Sequence, residues 1–532
     1  MPSTKKLLSI TNLKKYFPIA KSSIFQRQQY YVKANEDISL DIYEGETLGI
    51  VGESGCGKST LGRVLLQLYE QTAGTTMYYG MSRAELAPRY VTDTLRHAKR
   101  YISRLHAAQA RADAASAKVS QLGEAATFFD LQNKNLAVAE YQTAQAHIAK
   151  ILGGFLVRDT EQGAALLYRK ARLEERAAAL SDRIRDIELM LDEAEGGTAD
   201  DGKSANASQL ARLKGRCDRL TRERDGLNAQ IREAEQSIAA IKQAHRDDVE
   251  FQRYEAMLDD GIDLARLKYS EMRILRKDLQ IIFQDPYSSL NPRFTIGQII
   301  EEGLVTHKFF RHGSPKMREH VVRTMKECGL QEYMLFRYPH QFSGGQRQRI
   351  SIARALAVHP KFVVCDECVS ALDVSIQSQI INLLQELKQK EHLTYMFISH
   401  DLSVVRYISD RICVMYLGNV VELADAATVF GDPRHPYTVA LLSSIPTTDM
   451  ESLKKERILL EGSIPSPVKP PDGCKFHTRC WMACDKCRRV PPPLAEIEPG
   501  HFVACHFPER KLDENGNYLF EMPKTEKKSA KE

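Results

Sequence analysis

A glycine-rich loop at residues 52–60 constrains this chain more than any other feature. The loop matches the phosphate-binding pattern G-x-x-x-x-G-K-S/T in full and reads Gly52-Glu53-Ser54-Gly55-Cys56-Gly57-Lys58-Ser59-Thr60. The apolar segments 46–51 and 61–66 predict a strand before the loop and a helix after it. In that setting backbone N–H groups and the helix N-terminus surround a phosphate. We therefore expect Lys58 to reach the β- and γ-phosphates of a nucleotide and Ser59 to hold Mg²⁺, the alternative being a glycine-rich turn without a ligand.

Bulk composition limits the class of protein. The 532 residues suffice for roughly two to four domains, and 43% hydrophobic content allows a packed core. A net charge of +5, from 74 basic and 69 acidic side chains, gives no whole-chain case for nucleic-acid binding. Eleven scattered cysteines fit a reducing compartment better than a disulfide framework. The sequence shows no signal peptide and no uncharged run near the roughly 18 residues of a membrane span, so we expect a soluble intracellular protein.

The segment 81–260 differs sharply in composition from its flanks. It is rich in Ala, Glu, Arg, Gln and Leu and poor in β-branched residues, which favours helix. Two runs carry heptad spacing: Leu173, Ala177, Leu180, Ile184, Ile187 and Leu191, then Leu213, Cys217, Leu220, Arg224, Leu227, Ile231, Ala234, Ile238 and Ile241. A polar stretch at 193–208 separates them, which predicts an antiparallel coiled coil. Residues 82–155 predict a second helical pair with breaks near Gly123 and at Gly153-Gly154; the alternative is a partly disordered charged insert.

Strands alternate with helices again after residue 261, which predicts a largely parallel sheet. The buried strand 362–367 ends in two acids, Asp366 and Glu367, which would point into a ligand crevice. With the phosphate loop upstream, we expect Asp366 to hold the Mg²⁺ shell and Glu367 to orient or deprotonate the attacking water. The alternative is an ordinary solvated strand end.

Several further motifs, in the same order along the chain, resemble those of ABC-type ATPases. Residues 342–346 resemble the signature motif, with Phe in place of the commoner Leu at its first position, and residues 370–373 resemble the D-loop. The resemblance implies these roles: adenine stacking by Phe17 (or Tyr16), the Q-loop glutamine Gln284, nucleotide contacts by Ser343, Gly344, Gly345, Gln346 and Asp373, and the switch histidine His400. It also implies Gln284 as an Mg²⁺ ligand beside Ser59 and Asp366. In that family two ATP molecules lie between two such domains, and each signature helix contacts the γ-phosphate held by the partner.

The segments 283–293, 369–377 and 435–442 resemble the oligopeptide/dipeptide importer ATPases. This resemblance covers about 1–80 and 261–510 and leaves the helical insert out. It implies a second related ATPase, two membrane permeases and, indirectly, an extracytoplasmic substrate-binding protein as partners, with no nucleic acid. It also implies a peripheral position on the cytoplasmic face of the membrane, with the loop after Gln284 receiving the permease's coupling helix. The transported solute stays open, since members of this subfamily also serve nickel and other cargo.

Five cysteines follow a proline-rich linker near the C-terminus. Four of them match the C-terminal cysteine pattern of that subfamily, which in some members ligates a [4Fe-4S] cluster: Cys474, Cys480, Cys487 and Cys505. Four thiolates suit either an iron–sulfur cluster or a structural Zn²⁺, although the spacing is not that of a zinc ribbon. The alternative is a small cap with reduced cysteines, and Cys484 is the expected spare.

The expected fold is an α/β P-loop NTPase of ABC type, with a parallel sheet core, an antiparallel β subdomain and a helical subdomain. An inserted antiparallel coiled coil and a cysteine-containing C-terminal cap complete it. The expected bounds are 1–80 and 261–430 for the ATPase domain, 81–260 for the insert, 431–510 for the C-terminal extension and 511–532 for a charged, disordered tail.

Two rival classes fit less well. Chromosome-maintenance and DNA-repair ATPases also carry a coiled coil, but theirs leaves after the Q-loop, whereas this insert precedes Gln284. The polar stretch at 193–208 also lacks a cysteine for a zinc hook, and the net charge shows no duplex-binding bias. A translation-factor ATPase would need two cassettes, and the motifs here make one.

Overall fold

The computed structural model describes residues 5–21, 28–195, 207–310, 313–445, 458–460 and 462–508. Most of the predicted polar turn at 193–208 and all of the predicted tail at 511–532 lie outside these residues. The strands are β1 (Lys6–Pro18), β2 (Tyr31–Tyr43), β3 (Thr47–Val51), β4 (Ala73–Tyr78), β5 (Ile262–Asp263), β6 (Leu279–Ile282), β7 (Phe362–Asp366), β8 (Thr394–Ile398), β9 (Arg411–Tyr416), β10 (Asn419–Asp425), β11 (Ala495–Glu498) and β12 (His501–Val503).

The α-helices follow in the same chain order. They are α1 (Lys58–Leu65), α2 (Arg83–Leu86), α3 (Arg89–Arg96), α4 (Ala98–Leu122), α5 (Phe128–Leu152), α6 (Thr160–Glu195), α7 (Ala207–Ala244), α8 (Val249–Glu255), α9 (Tyr269–Leu275), α10 (Pro286–Ser289), α11 (Ile296–Thr306), α12 (Pro315–Glu327), α13 (Gly344–Leu356), α14 (Val374–Glu391), α15 (Leu402–Ile408), α16 (Ala426–Gly431), α17 (Pro436–Ser443) and α18 (Asp485–Arg489).

The chain divides into two compact units. The first consists of Met1–Thr72 and Arg273–Glu532, and the second of Ala73–Met272. The second unit extends beyond the predicted insert at both ends, because it includes β4 and β5. These two strands pair in antiparallel fashion, with Tyr78 opposite Ile262.

An eight-stranded sheet forms the centre of the first unit, in the order β11-β12-β10-β9-β3-β8-β7-β6. Five neighbouring strands of this sheet pair in parallel, in the order β6-β7-β8-β3-β9, as the alternation of strands and helices predicted. Every residue of β3, β7 and β8 is buried, as expected for central strands that are covered on both faces. Because parallel strands end at the same edge, the loops after β3, β7 and β8 meet there.

The other strands of the first unit are antiparallel. β1 pairs with β2, with Ile10 opposite Leu40, as expected for an antiparallel β subdomain. β9 turns into β10 through Leu417 and Gly418, which both have positive φ (44° and 80°), the backbone that a two-residue hairpin requires. β10 then pairs with β12, and β12 with β11. The sequence pattern indicated none of the strands from β9 to β12.

The helical part of the first unit differs in detail from the prediction. The sequence after the turn-rich loop at 285–293 predicts one helical stretch through about residue 335. The structure instead has two α-helices there, α11 and α12, because the Gly313-Ser314-Pro315 segment begins a new helix. Ser314 caps α12 by accepting a hydrogen bond from the Met317 N–H at 3.3 Å, and Pro315 occupies its first turn. The apolar run 279–285 also predicts a strand, and the observed strand β6 is shorter and ends at Ile282.

The second unit is mainly helical. Its helices α4 and α5 end directly before Gly123 and Gly153, both with positive φ (52° and 54°), so the two predicted breaks are confirmed. In the long helix α6 five of the six predicted seam residues are buried, namely Leu173, Ala177, Leu180, Ile184 and Ile187. In α7 the buried ones are Leu227, Ala234 and Ile238. Lys170 of α6 forms an ion pair with Glu235 of α7 at 2.9 Å.

Candidate functional site

The phosphate loop joins β3 to α1, and its glycines are required by geometry. Gly52 and Gly57 have φ values of 149° and 101°, which side-chain-bearing residues rarely adopt. A Cβ atom at Gly52 would lie 2.2 Å from the Met415 carbonyl oxygen, and one at Gly57 would lie 2.1 Å from the Ala34 carbonyl oxygen. The backbone therefore packs too tightly for side chains at these positions. Such a loop, followed directly by a helix N-terminus, fits a phosphate group.

Lys58 and Ser59 begin the helix after this loop. The buried Lys58 Nζ donates hydrogen bonds to the carbonyl oxygens of Gly52 at 2.8 Å and Glu53 at 3.1 Å. Ser59 Oγ donates to Asp366 Oδ1 at 2.5 Å, so two predicted Mg²⁺ ligands that are far apart in sequence lie side by side. A hydroxyl and a carboxylate are oxygen donors of the kind that Mg²⁺ prefers, and the pair therefore fits this ion.

Gln284, Glu367 and His400 form a second cluster at the same edge of the sheet. Gln284 Nε2 donates to Glu367 Oε2 at 2.8 Å, and His400 Nδ1 lies 3.6 Å from the same oxygen. Glu367 follows β7 with a φ of 48°, an uncommon conformation for a residue with a long side chain. Gln284 thus contacts the predicted base rather than the Ser59–Asp366 pair. The cluster presents one carboxylate, one amide and one imidazole to the same small volume.

The signature residues cap helix α13. Ser343 is its N-cap, and the Ser343 N–H donates to Gln346 Oε1 at 3.2 Å while the Gln346 N–H donates to Ser343 Oγ at 3.4 Å. This capping box involves Ser343 and Gln346, and the first-turn N–H groups of Gly344 and Gly345 take no part in it. A Cβ at Gly345 would lie 2.5 Å from Ile376 Cγ2. Within the described residues, no hydrogen bond or ion pair joins the signature to the phosphate loop.

Asp373 and Phe17 lie on separate elements. Asp373 caps α14 by accepting hydrogen bonds from Ser375 Oγ at 2.7 Å and from the Ile376 N–H at 3.0 Å, and these bonds lower the pKa of its carboxyl group. Phe17 is half-buried and packs edge-on against Tyr69, with ring centroids 5.4 Å apart. Tyr16 is buried and its hydroxyl donates to Glu36, so Phe17 is the more accessible of the two aromatic rings.

Three residues at this site were not indicated by the motifs. Arg63 Nη2 lies 3.4 Å from Asp366 Oδ2, and its position four residues after Ser59 on one helix face could have suggested it. The Glu53 N–H donates to the Tyr437 hydroxyl at 2.8 Å. Arg479 forms two hydrogen bonds with the Glu53 carboxylate. No local pattern in the sequence connects residues 437 and 479 with the phosphate loop.

The predicted cysteine ligands line one cavity in the C-terminal extension: Cys474, Cys480, Cys487 and Cys505. Cys484 is not among the residues that line it, although its sulfur lies 3.7 Å from that of Cys487. Burial raises the pKa of the Cys474 thiol to about 11 and that of Cys480 to about 12, so both thiols are protonated at neutral pH. The donor types suit a thiolate-bound metal. However, the described part of the chain contains no group of three or more His, Cys, Asp or Glu side chains close enough to hold an ion.

A separate cavity of about 590 Å³ lies inside the second unit. Its walls combine apolar side chains of α3, α6 and α7 with charged ones, including Lys170, Glu174 and Glu235. None of the predicted ATP-site residues lines it.

Comparison with known proteins identifies the family. Residues 35–154 and 236–370 match the family described as ABC transporter, and residues 421–487 match the one described as oligopeptide/dipeptide transporter, C-terminal region. The oligopeptide transport ATP-binding protein AppF of Bacillus subtilis (strain 168) is 52% identical over 254 residues, which are 47% of this chain and 76% of AppF. YkfD of the same strain is 53% identical over 248 residues, covering 46% of this chain and 75% of YkfD. The chain belongs to the ABC transporter ATP-binding proteins of the oligopeptide/dipeptide importer type.

This membership confirms the resemblance drawn from the motifs and does not favour the DNA-repair alternative. The solved dimeric structure of MJ0796, a bacterial ABC transporter cassette, is 16% identical, with a TM-score of 0.40 over 79% of this chain and 99% of that one. The ABC ATPase is expected to use ATP and Mg²⁺, which the loop geometry and the Ser59–Asp366 pair fit. Across the described ranges, no helix combines the length and apolarity needed to cross a bilayer.

Proposed function

We propose that this ABC ATPase binds and hydrolyses ATP to power the import of oligopeptides or dipeptides through membrane permease subunits. One observation supports the proposal most strongly. The phosphate loop, the Ser59–Asp366 pair and the Gln284–Glu367–His400 cluster all lie at the same edge of the sheet. The peptide substrate is supported by the C-terminal family match and by the printed name of AppF.

Each cluster takes one part of the hydrolysis. The phosphate loop, residues 52–60, and Lys58 bind the phosphates, and Phe17 stacks on the adenine. Mg²⁺, held by Ser59 and Asp366, would neutralise charge on the phosphate oxygens. Glu367 accepts the proton of the attacking water, because its carboxylate is held by Gln284 at 2.8 Å and faces the same edge. His400, whose Nδ1 lies 3.6 Å from the same carboxylate, contacts the γ-phosphate.

The site on one chain is half of the reactive arrangement. The signature residues Ser343, Gly344, Gly345 and Gln346 make no described contact with their own phosphate loop, and Asp373 caps the neighbouring helix. We therefore propose that they serve the ATP bound by a second ATPase subunit, either a related chain or another copy. Two permeases and, indirectly, a substrate-binding protein complete the assembly, which places this chain at the cytoplasmic face of the membrane.

The short helix α10 is the proposed contact for a permease. It follows Gln284 directly, and its Tyr287 side chain is 62% exposed although Arg347 stacks over the ring at 3.9 Å. Because the cation–π contact already fixes this exposed ring, the ring loses little further conformational entropy when a partner's helix packs on it.

The finer features of the insert and of the extension are also proposals. We infer that α6 and α7 form an antiparallel coiled-coil arm within the insert 81–260 that docks a partner, supported by the burial of five heptad positions in α6 and three in α7. The four cysteines that share a cavity remain candidate ligands for a [4Fe-4S] cluster or, less favoured, Zn²⁺, on the strength of donor type and shared cavity alone.

Peptide uptake by whole cells tests the proposed function. Cells that lack this chain should lose uptake of labelled di- to pentapeptides and regain it when the wild-type chain is supplied. The Lys58→Ala variant should not restore uptake, because it removes the charge that contacts the phosphates. Unchanged peptide uptake, together with loss of another solute, would contradict the substrate class.

A further inference from the structure

Arg479 of the C-terminal extension contacts the carboxylate of a phosphate-loop residue, Glu53. Arg479 Nη1 donates to Glu53 Oε2 at 2.8 Å, and Arg479 Nη2 donates to Glu53 Oε1 at 3.1 Å. This is the bidentate geometry that makes arginine–carboxylate pairs strong and directional. The Arg479 side chain is 6% exposed and that of Glu53 is 25% exposed, so the pair is only weakly screened by solvent.

An aromatic cluster holds this pair in place. The Tyr416 ring lies beneath the Arg479 guanidinium at 6.0 Å and packs against Tyr437 with centroids 4.8 Å apart. Phe476, three residues before Arg479, packs on both rings. The Tyr437 hydroxyl accepts a hydrogen bond from the Glu53 N–H, so the backbone of residue 53 has a support that does not depend on its carboxylate. Arg479 therefore acts on the charge and direction of the Glu53 side chain.

The charge of Glu53 is the reason such a partner is needed. Glu53 is the second residue of a loop that must receive a triphosphate, and an unpaired carboxylate there would repel that anion. The repulsion is strong where water is partly excluded and weakens as salt screens it. A fixed guanidinium cancels the carboxylate's charge and holds the carboxylate in one orientation.

We propose that Arg479 is a positioning residue for ATP binding, which neutralises and orients Glu53 so that the phosphate loop accepts the triphosphate. The C-terminal extension is then part of the nucleotide site rather than a separate appendage. The inference rests on the proposed ATPase function and adds a residue, outside the cassette motifs, to its site.

Affinity for MgATP in the full chain tests this proposal. Arg479→Gln should weaken MgATP binding about tenfold at low salt, equivalent to about 1.4 kcal/mol. Arg479→Lys, which keeps the charge, should retain most of the affinity, and adding Glu53→Gln to Arg479→Gln should restore most of what was lost. The deficit of Arg479→Gln should also shrink at high salt, relative to the wild type measured under the same conditions. A merely structural arginine would show neither the rescue nor the salt dependence.

Arg488→Gln is the matched control, because Arg488 lies in the same extension with its side chain 66% exposed. Binding by Arg479→Gln equal to that of Arg488→Gln would overturn the proposal, as would a loss that Glu53→Gln fails to restore. Failure of the wild-type chain itself to bind MgATP would refute the proposed function, and this inference with it.

Discussion

Replacing Glu367 with Gln tests the assignment of the catalytic base. The two side chains have the same shape, and the Gln amide oxygen can still accept the hydrogen bond that Gln284 Nε2 donates to Glu367 at 2.8 Å. The substitution therefore removes the proton acceptor and leaves the local packing in place. The Ser59–Asp366 pair, which we assign to Mg²⁺, is not altered.

The expected loss follows from the role of a positioned base. General-base catalysis contributes about 100- to 10,000-fold to a rate, which corresponds to about 2.7–5.5 kcal/mol of activation free energy. The turnover number of Glu367→Gln should therefore be about 100- to 10,000-fold lower than that of the wild type. MgATP affinity should stay close to the wild-type value or rise slightly, since the substitution removes a negative charge near the γ-phosphate position.

Phosphate release at saturating MgATP, measured with the partner ATPase present, gives the turnover number, and equilibrium binding gives the affinity. Glu386→Gln is the matched control, because Glu386 is an exposed residue of α14 that lies outside the site. Turnover of Glu367→Gln within tenfold of the wild type would refute the role of Glu367 as base. A parallel loss of affinity would instead indicate that the substitution disturbed the nucleotide site.

Three further outcomes are expected. Deleting residues 81–260 should spare folding and MgATP binding. Tyr78 and Ile262 are already paired, so joining residue 80 to residue 261 leaves a hairpin loop of three residues. Failure of the shortened chain to fold would contradict a separable arm. Lysines around the Glu36 carboxyl outweigh its burial and lower its pKa to about 2. The contribution of Glu36 to the free energy of unfolding is therefore lost as pH falls below the pKa of about 4.5 that this group has in the unfolded chain. Urea unfolding should show the wild type losing about 2 kcal/mol more than Glu36→Gln between pH 5 and pH 3. Anaerobically purified protein should show the visible absorbance of an iron–sulfur cluster, and absence of that absorbance would contradict a cluster in the cysteine cavity.

Local patterns predicted the parts of the fold whose causes are local. The strand–loop–helix around residues 52–60 is set by glycines that alone fit the backbone, and the breaks at Gly123 and Gly153 by helix-terminating positive φ. The central strands β3, β7 and β8 were visible as continuous apolar runs, because both of their faces are covered. Acids at the end of β7 could then be placed at the ligand edge from topology alone.

Strand β10 was missed because one of its two neighbours in the sheet, β12, lies far along the chain. In β10 the residues from Val420 to Ala424 are all buried, so the strand lacks the alternation that marks an antiparallel sheet with one open face. Its buried Glu422 is compensated by His501 of β12 at 2.8 Å, a residue 79 positions later. A charged residue in a buried run is read from sequence as a loop. Here the backbone N–H groups of Arg434 and His435, together with the distant His501, make the carboxylate compatible with a strand.

The large sequence separation between contacting residues also explains why the sequence revealed only part of the nucleotide site. Motifs reveal residues that contact ligand through a fixed local backbone, as Lys58 and Ser59 do. Glu53, by contrast, falls on a variable position of the loop pattern, and a carboxylate there makes sense only when Arg479 is beside it, 426 residues later. A charge of the wrong sign inside a ligand-binding motif is therefore itself a signal, because an anion-binding loop that tolerates an acid requires a compensating cation from elsewhere in the chain.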